Sequence, residues 1–170
     1  EESYLQGKAV GRWALWFESG RLKREVYYVD GHRHGDYNEW FESGEKKRKS
    51  YYIEGRREGR SVEWYSGGQQ RIVLHFENGQ RHGELDSWYD NGQQKTKADY
   101  VRGKVEGIIK QWHRNGKLKS ERQYRAGKRH GRWIAWDDKG NVISEATFKN
   151  DELVDGKWKF KKKKRRRRRR

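Results

Sequence analysis

The chain has 170 residues, of which 31% are hydrophobic, 39% are charged and 14% are aromatic, and its formal net charge is +17. The aromatic content is too high for a disordered chain, and the charged content is too high for a thick globular core. Cysteine is absent, which excludes disulfides, thiolate metal sites and a cysteine nucleophile. The cellular compartment stays open, with the cytoplasm slightly favoured.

A 24-residue repeat runs along the chain without insertion or deletion across six units. Each unit opens with a glycine, and the opening column consists of Gly7, Gly31, Gly55, Gly79, Gly103 and Gly127. A second glycine follows four residues later, a tryptophan nine residues later and a third glycine thirteen residues later. The tryptophan column, for which we expect a structural role in packing, consists of Trp16, Trp40, Trp64, Trp88, Trp112 and Trp136. A last aromatic column, three residues before each opening glycine, consists of Tyr4, Tyr28, Tyr52, Phe76, Tyr100, Tyr124 and Phe148.

Each unit is predicted to be one β-hairpin. The glycines mark turns, and the segments between them are rich in Trp, Tyr, Val and Ile and lack a helical apolar stripe. In the first unit, the arms are predicted over residues 12–18 and 21–29, and a turn from Asp30 to Gly35 leads to the next hairpin. The predicted fold is all-β: an elongated meander of antiparallel β-hairpins in an open, single-layer twisted sheet that advances roughly 10 Å per unit.

The pattern [YF]-x2-G-x3-G-x4-W-[FY]-x2-G occurs at residues 28–44, 52–68 and 76–92, and with one substitution at 100–116. It resembles the MORN-repeat variant of the bacterial proteins known as YwqK-type antitoxins, and the resemblance covers residues 4–160. The resemblance implies a meander of hairpins that acts as a binding or scaffolding surface without catalysis. His113 and Asp137 replace the second aromatic, so we expect the fifth and sixth units to be thinner on that face.

The seventh unit is incomplete. Asp151 occupies the position of an opening glycine, and Gly156 falls one residue late. Aligning Gly156 and Trp158 with the glycine and tryptophan of earlier units restores the register after a one-residue insertion. Lys161 then stands where the next column tryptophan is expected. The chain is therefore divided into a repeat array over residues 1–160 and a polybasic tail over 161–170.

The tail is a run of ten cations, which are Lys161, Lys162, Lys163, Lys164, Arg165, Arg166, Arg167, Arg168, Arg169 and Arg170. Without them the chain has 32 cations against 25 anions, so more than half of the net charge lies in the tail. Such a run repels itself, and we expect it to be extended and to bind a polyanion. RNA or DNA is the first candidate, an anionic membrane surface the second and a nuclear address the third. Protection of the sheet edge explains only the first lysines, and a purification or engineering artefact is the remaining alternative.

No catalytic or metal-binding constellation stands out from the repeat. A column three residues after the opening glycine alternates between histidine and glutamate: His34, Glu58, His82, Glu106 and His130. Because neighbouring units are roughly 10 Å apart, these side chains cannot converge on one ion, and we expect weak exposed pairs at most.

The sequence predicts a non-enzymatic repeat scaffold without metal or cofactor, whose tail docks on a polyanion. The alternative is an antitoxin-like module that binds a protein partner through the sheet face. End-to-end association of the terminal strands is also left open.

Overall fold

The computed structural model describes residues 3–158, which form one open antiparallel sheet of 14 strands in sequence order. The all-β prediction is confirmed, and no helix in this part of the chain is long and apolar enough to cross a membrane. The strands are β1 Ser3–Leu5, β2 Lys8–Trp16, β3 Leu22–Val29, β4 His32–Trp40, β5 Lys46–Ile53, β6 Arg56–Trp64, β7 Gln70–Glu77, β8 Gln80–Trp88, β9 Gln94–Val101, β10 Lys104–Trp112, β11 Leu118–Arg125, β12 Lys128–Trp136, β13 Val142–Lys149 and β14 Glu152–Lys157. The tail at 161–170 lies outside the described residues, so the division at residue 160 stays a prediction.

Two-residue turns join each hairpin to the next. Asp30 and Gly31 have φ angles of 48° and 80°, the two left-handed residues of a type I′ turn, which matches the twist of the flanking strands. The Gly31 amide donates a hydrogen bond of 2.8 Å to the Ala9 carbonyl of the preceding unit, and Gly55, Gly79, Gly103 and Gly127 repeat this bond. The opening glycine therefore closes a turn and also ties its unit to the previous one.

The second glycine of each unit lies inside a strand, so the predicted turn from Asp30 is confirmed at Asp30 and Gly31, but its extension to Gly35 was wrong. Gly35 has a φ of 92° and lies in β4, where the register of the β3–β4 pair shifts after Val26. A bulge of this kind requires left-handed backbone, which glycine adopts at little cost. For the same reason the first arm begins at Lys8, four residues before its predicted start, and ends at Trp16.

The third glycine closes the hairpin itself, as predicted. The Phe17 amide donates to the Arg21 carbonyl over 2.8 Å, and the Gly20 amide donates to the Phe17 carbonyl over 3.0 Å. The second arm of the first hairpin begins at Leu22.

Most of the buried residues lie on one face of the sheet, here called the packed face. Tyr37 pairs with Val26 on one side and with Ser50 on the other, and cross-strand partners share a face. Because the described sheet has a single layer, these side chains bury one another. Three clusters result, formed by Val26, Tyr37 and Tyr52, by Leu74, Leu85 and Ala98, and by Trp133, Ala146 and Phe148.

The incomplete seventh unit keeps the local geometry of the repeat. Asp151 has a φ of 76°, and its amide donates to the Arg129 carbonyl over 3.0 Å, as the opening glycines do. Gly156 has the φ of a bulge glycine, 78°, and the ring of Trp158 lies 5.2 Å from that of Trp133. These positions agree with a one-residue insertion before Gly156.

Candidate binding surfaces

The predicted tryptophan column lies at the ends of the first arms. Trp16 is 41% exposed, and the other five are half-buried, so the fully buried core lies in other columns. The main chain of the column links units, since the Tyr65 hydroxyl donates to the Trp88 carbonyl and the Tyr89 hydroxyl to the Trp112 carbonyl, each over 2.9 Å. The expectation that the indoles stabilise the array by packing stays a prediction.

The two departures from the aromatic pattern have different consequences. His113 keeps the link to the next unit, because its Nε2 lies 3.0 Å from the Trp136 carbonyl oxygen. Asp137 instead caps its own turn, where its carboxylate accepts hydrogen bonds from the Asn141 side chain and from the Lys139 and Asn141 amides. These bonds, with that of the Asn141 side chain first, hold the pKa of Asp137 below its usual value. The fifth unit therefore retains its connection, and the sixth replaces it by a local cap.

The glutamates of the alternating His/Glu column bond to turns instead of pairing with neighbouring histidines. Glu58 Oε2 accepts from the Asn78 amide over 2.8 Å, and Glu106 Oε2 accepts from the Ala126 amide over 2.6 Å. His82 Nδ1 lies 3.0 Å from Glu77 Oε2, a residue outside the column. Within residues 3–158 there is no group of three or more His, Asp or Glu side chains that could hold a metal ion.

Four arginines on the packed face form a regular ladder, here called the arginine ladder. Each one pairs across the strands with the last aromatic of the preceding hairpin and extends over the ring of the last aromatic of its own hairpin. The Cζ-to-centroid distances are 5.5 Å for Arg33 and Tyr52, 5.2 Å for Arg57 and Phe76, 5.4 Å for Arg81 and Tyr100, and 4.8 Å for Arg129 and Phe148. The same position holds Ala9 in the first unit and, between Arg81 and Arg129, Val105, which pairs with Tyr100. Cation–π contacts of this kind contribute about 0.5–1 kcal/mol each at exposed sites.

The charges of three ladder arginines are not neutralised by carboxylates. Arg57 Nε donates to the Tyr52 hydroxyl over 3.0 Å, and among the described residues no ion pair involves Arg33, Arg57 or Arg81. A hydrogen bond with Tyr28 is the largest influence on Arg33 and raises its pKa. These three guanidinium groups are therefore available to bind an anionic partner.

Arg129 differs from the other ladder arginines because Asp151 binds it. The Asp151 carboxylate accepts from the Arg129 amide over 3.0 Å and from Arg129 Nε over 3.1 Å. Bonds to Arg129, that of the backbone amide first, lower the pKa of Asp151. The free cations of the ladder therefore lie in the N-terminal half of the array.

The ladder was not predicted, although the sequence carries a signal for it. Arginine recurs two residues after the opening glycine at Arg33, Arg57, Arg81 and Arg129. That position pairs with the last aromatic column because the turn between them has only two residues, which places Arg33 opposite Tyr28 and Arg57 opposite Tyr52. A turn extended to Gly35, as predicted from the sequence, does not place the two columns opposite each other.

The opposite face carries an exposed apolar patch near the N-terminal end. Tyr27 and Tyr51 are 37% and 42% exposed, and Val29 and Ile53 are 52% and 43% exposed. The tyrosines and Val29 line a shallow depression of about 760 Å³ together with Asp36. Contiguous exposed apolar surface of this kind is typical of protein interaction sites.

Comparison with protein families gives a match for two consecutive units. The family model of the MORN repeat variant matches residues 105–126 and 129–150, which confirms the resemblance seen in the sequence. A comparison with curated proteins found no match. The units that open at Gly31, Gly55 and Gly79 share the 24-residue spacing, the left-handed opening residue and the bond to the preceding unit.

Proposed function

We propose that this chain, two units of which match the MORN repeat variant, is a non-catalytic scaffold whose residues 161–170 dock on a polyanion. MORN repeats favour a scaffold or binding module. The observation that carries the finer proposal is the segregation of charge, because ten of 42 cations form one uninterrupted run at the end of the chain. RNA or DNA is the first partner, and an anionic membrane surface is the second.

The physical basis is the release of condensed counterions. Each cation that neutralises a phosphate frees its counterion, so ten engaged side chains give a log–log salt slope of roughly −9 on duplex DNA or −7 on single strands. A flexible run of lysine and arginine has no fixed donors for base edges, so little sequence preference is expected from the tail. The ladder cations Arg33, Arg57 and Arg81 support the proposal, because they add positive charge to one face at intervals of roughly 10 Å.

The test compares the intact chain with a variant in which all ten tail cations are replaced by glutamine, which keeps the length. Both proteins are titrated with RNA, duplex DNA and anionic vesicles at several salt concentrations. The intact chain should bind with a steep salt dependence, and the variant should lose most of that affinity. Equal affinity for both proteins, or a flat salt response, would show that the tail does not take part in binding.

The apolar patch on the opposite face favours a second candidate function, binding of a protein partner in the manner of an antitoxin-like module. Tyr27 and Tyr51 would supply the aromatic anchors typical of such interfaces. Under this hypothesis the glutamine-tail variant keeps its partner, whereas Tyr51→Arg loses it. The same pair of variants therefore separates the two candidate functions.

A further inference from the structure

A groove of about 880 Å³ opens on the packed face at the C-terminal end of the described sheet. Its walls include the indole rings of Trp133, Trp136 and Trp158, the guanidinium group of Arg122 and the side chain of Ile143. Small-molecule sites commonly enclose about 300–1,000 Å³ and combine apolar or aromatic walls with a few polar groups. The groove has the size and lining of such a site.

Arg122 breaks the pattern of the buried core. The same position in the other units holds a small or apolar residue, namely Val26, Ser50, Leu74, Ala98 and Ala146. Packing therefore does not require an arginine here. Arg122 therefore introduces a charge into a core column whose members in these other units are uncharged.

The surroundings of Arg122 leave part of its hydrogen-bonding capacity unused. Its Cζ lies 5.7 Å from the ring centroid of Trp133 and 5.5 Å from that of Trp158, so the two indoles hold the guanidinium plane in place. Arg122 Nε is buried without a hydrogen-bond partner, and no carboxylate in residues 3–158 forms an ion pair with it. A buried donor without an acceptor is costly, and an acceptor carried by a ligand would remove this cost.

The charges that line the groove favour an aromatic ring over a phosphate group as its ligand. Lys119 and Arg122 are balanced by Asp137 and Asp138, so the lining has little net charge. The walls instead present aromatic faces beside a fixed planar donor. Planar heterocycles with carbonyl or ring-nitrogen acceptors suit this arrangement, because they stack on indoles and accept from guanidinium groups.

We propose that the groove holds an unpaired nucleobase of a single-stranded nucleic acid, which stacks on its indoles while Arg122 donates to the edge of the base. This inference rests on the proposed function, because the polybasic tail provides the affinity for phosphate. The described chain ends at Trp158 in the wall of the groove, and the tail begins at Lys161, three residues further on. Three residues span at most about 11 Å, so the start of the tail is within about that distance of Trp158. A paired base in a duplex is not available for stacking, so the site selects single strands.

The experiment uses the full chain and three probes: a labelled 12-nucleotide oligothymidylate, a duplex of the same length and an inorganic polyphosphate of similar length as a competitor. Arg122→Leu is the main variant, since Leu74 shows that the column accepts leucine. Arg57→Leu is the matched control, because it removes one positive charge from the same face away from the groove. Trp158→Leu is a second groove variant, and circular dichroism verifies that each variant is folded.

Stacking and donation to one base correspond to an affinity change of about fivefold to a hundredfold. We therefore expect Arg122→Leu and Trp158→Leu to weaken oligothymidylate binding at least fivefold and polyphosphate binding less than twofold. Arg57→Leu should weaken both probes equally, and the intact chain should prefer the oligothymidylate to the duplex.

The outcomes separate this inference from the proposed function. If the chain binds both polymers and the groove variants behave like Arg57→Leu, the groove inference is overturned and docking by the tail stands. If the chain binds neither polymer, the inference and the proposed function both fail.

Discussion

Replacing Trp88 by alanine is expected to destabilise the array more than replacing Trp16 by alanine. Trp88 is half-buried at the end of β8, with hairpins on both sides, whereas Trp16 is 41% exposed and lies near the N-terminal edge strand. In a linear array each unit contacts only its neighbours, so an inner unit loses packing on two sides and an end unit on one.

The magnitude follows from burial. Truncation of a fully buried tryptophan costs about 3–5 kcal/mol, and the partial exposure of Trp88 reduces this to about 2 kcal/mol. The Trp88 carbonyl keeps its bond from the Tyr65 hydroxyl in the variant, because that bond involves only the main chain of Trp88. For Trp16 we expect about 1 kcal/mol, confined to a terminal hairpin that frays independently of the centre.

The assay is urea denaturation followed by far-UV circular dichroism, with Trp88→Phe as the matched control that keeps an aromatic ring. Because long repeat arrays can lose two-state behaviour, amide hydrogen exchange should be used to assign the effect to individual hairpins. Trp88→Ala should lower protection across the central units, and Trp16→Ala only in the first unit. Equal shifts for the two variants, or a larger shift for Trp16→Ala, would refute the nearest-neighbour reasoning.

Three further predictions concern single contacts. Tyr89→Phe removes the 2.9 Å bond to the Trp112 carbonyl and should cost about 1 kcal/mol in urea denaturation; no loss would mean that water replaces the hydroxyl. Gly35→Ala places a side chain at a φ of 92° and should destabilise by about 1–2 kcal/mol, an effect that an unchanged midpoint would contradict. The pKa of Asp151 is lowered in the folded chain, so its stabilisation is present above the unfolded pKa of about 3.9 and is lost as pH falls through the lower folded value. Hydrogen exchange in the last hairpin should show this loss for the parent chain and not for Asp151→Asn, and identical pH profiles would exclude the carboxylate as its cause.

The spacing of glycine predicted the number of hairpins but not the role of each glycine. Gly31 and Gly35 both require left-handed backbone, one in a turn and the other in a bulge, and a sequence shows only the common requirement. The first arm was therefore placed four residues too far along the chain. The third glycine was assigned correctly because the long arms on either side of it leave only a hairpin turn.

The repeat pattern predicted a packing role for the tryptophan column and did not indicate which columns form the buried core. The core column that contains Val26, Ser50 and Leu74 varies from unit to unit, because a packed face requires complementary volumes and not identical residues. Arg122 lies in this variable column, so its departure from the other units becomes visible only when the column is known to be buried. The tail, in contrast, is evident from its composition alone.

The cations are unevenly distributed along the array. Arg33, Arg57 and Arg81 lie on one face at intervals of roughly 10 Å. The series is then interrupted, because Val105 replaces the next arginine and Asp151 binds Arg129. From β8, which contains Arg81, to β14 there are six strand intervals, or about 29 Å, before the chain continues toward the tail. A polyanion that contacts both β14 and Arg81 would have to extend along the sheet for about this distance. Two weak sites at a fixed separation bind one long partner more tightly than two short ones, because the second contact is intramolecular. A single-layer sheet with little interior is suited to this role, since its main property is the constant spacing of its units.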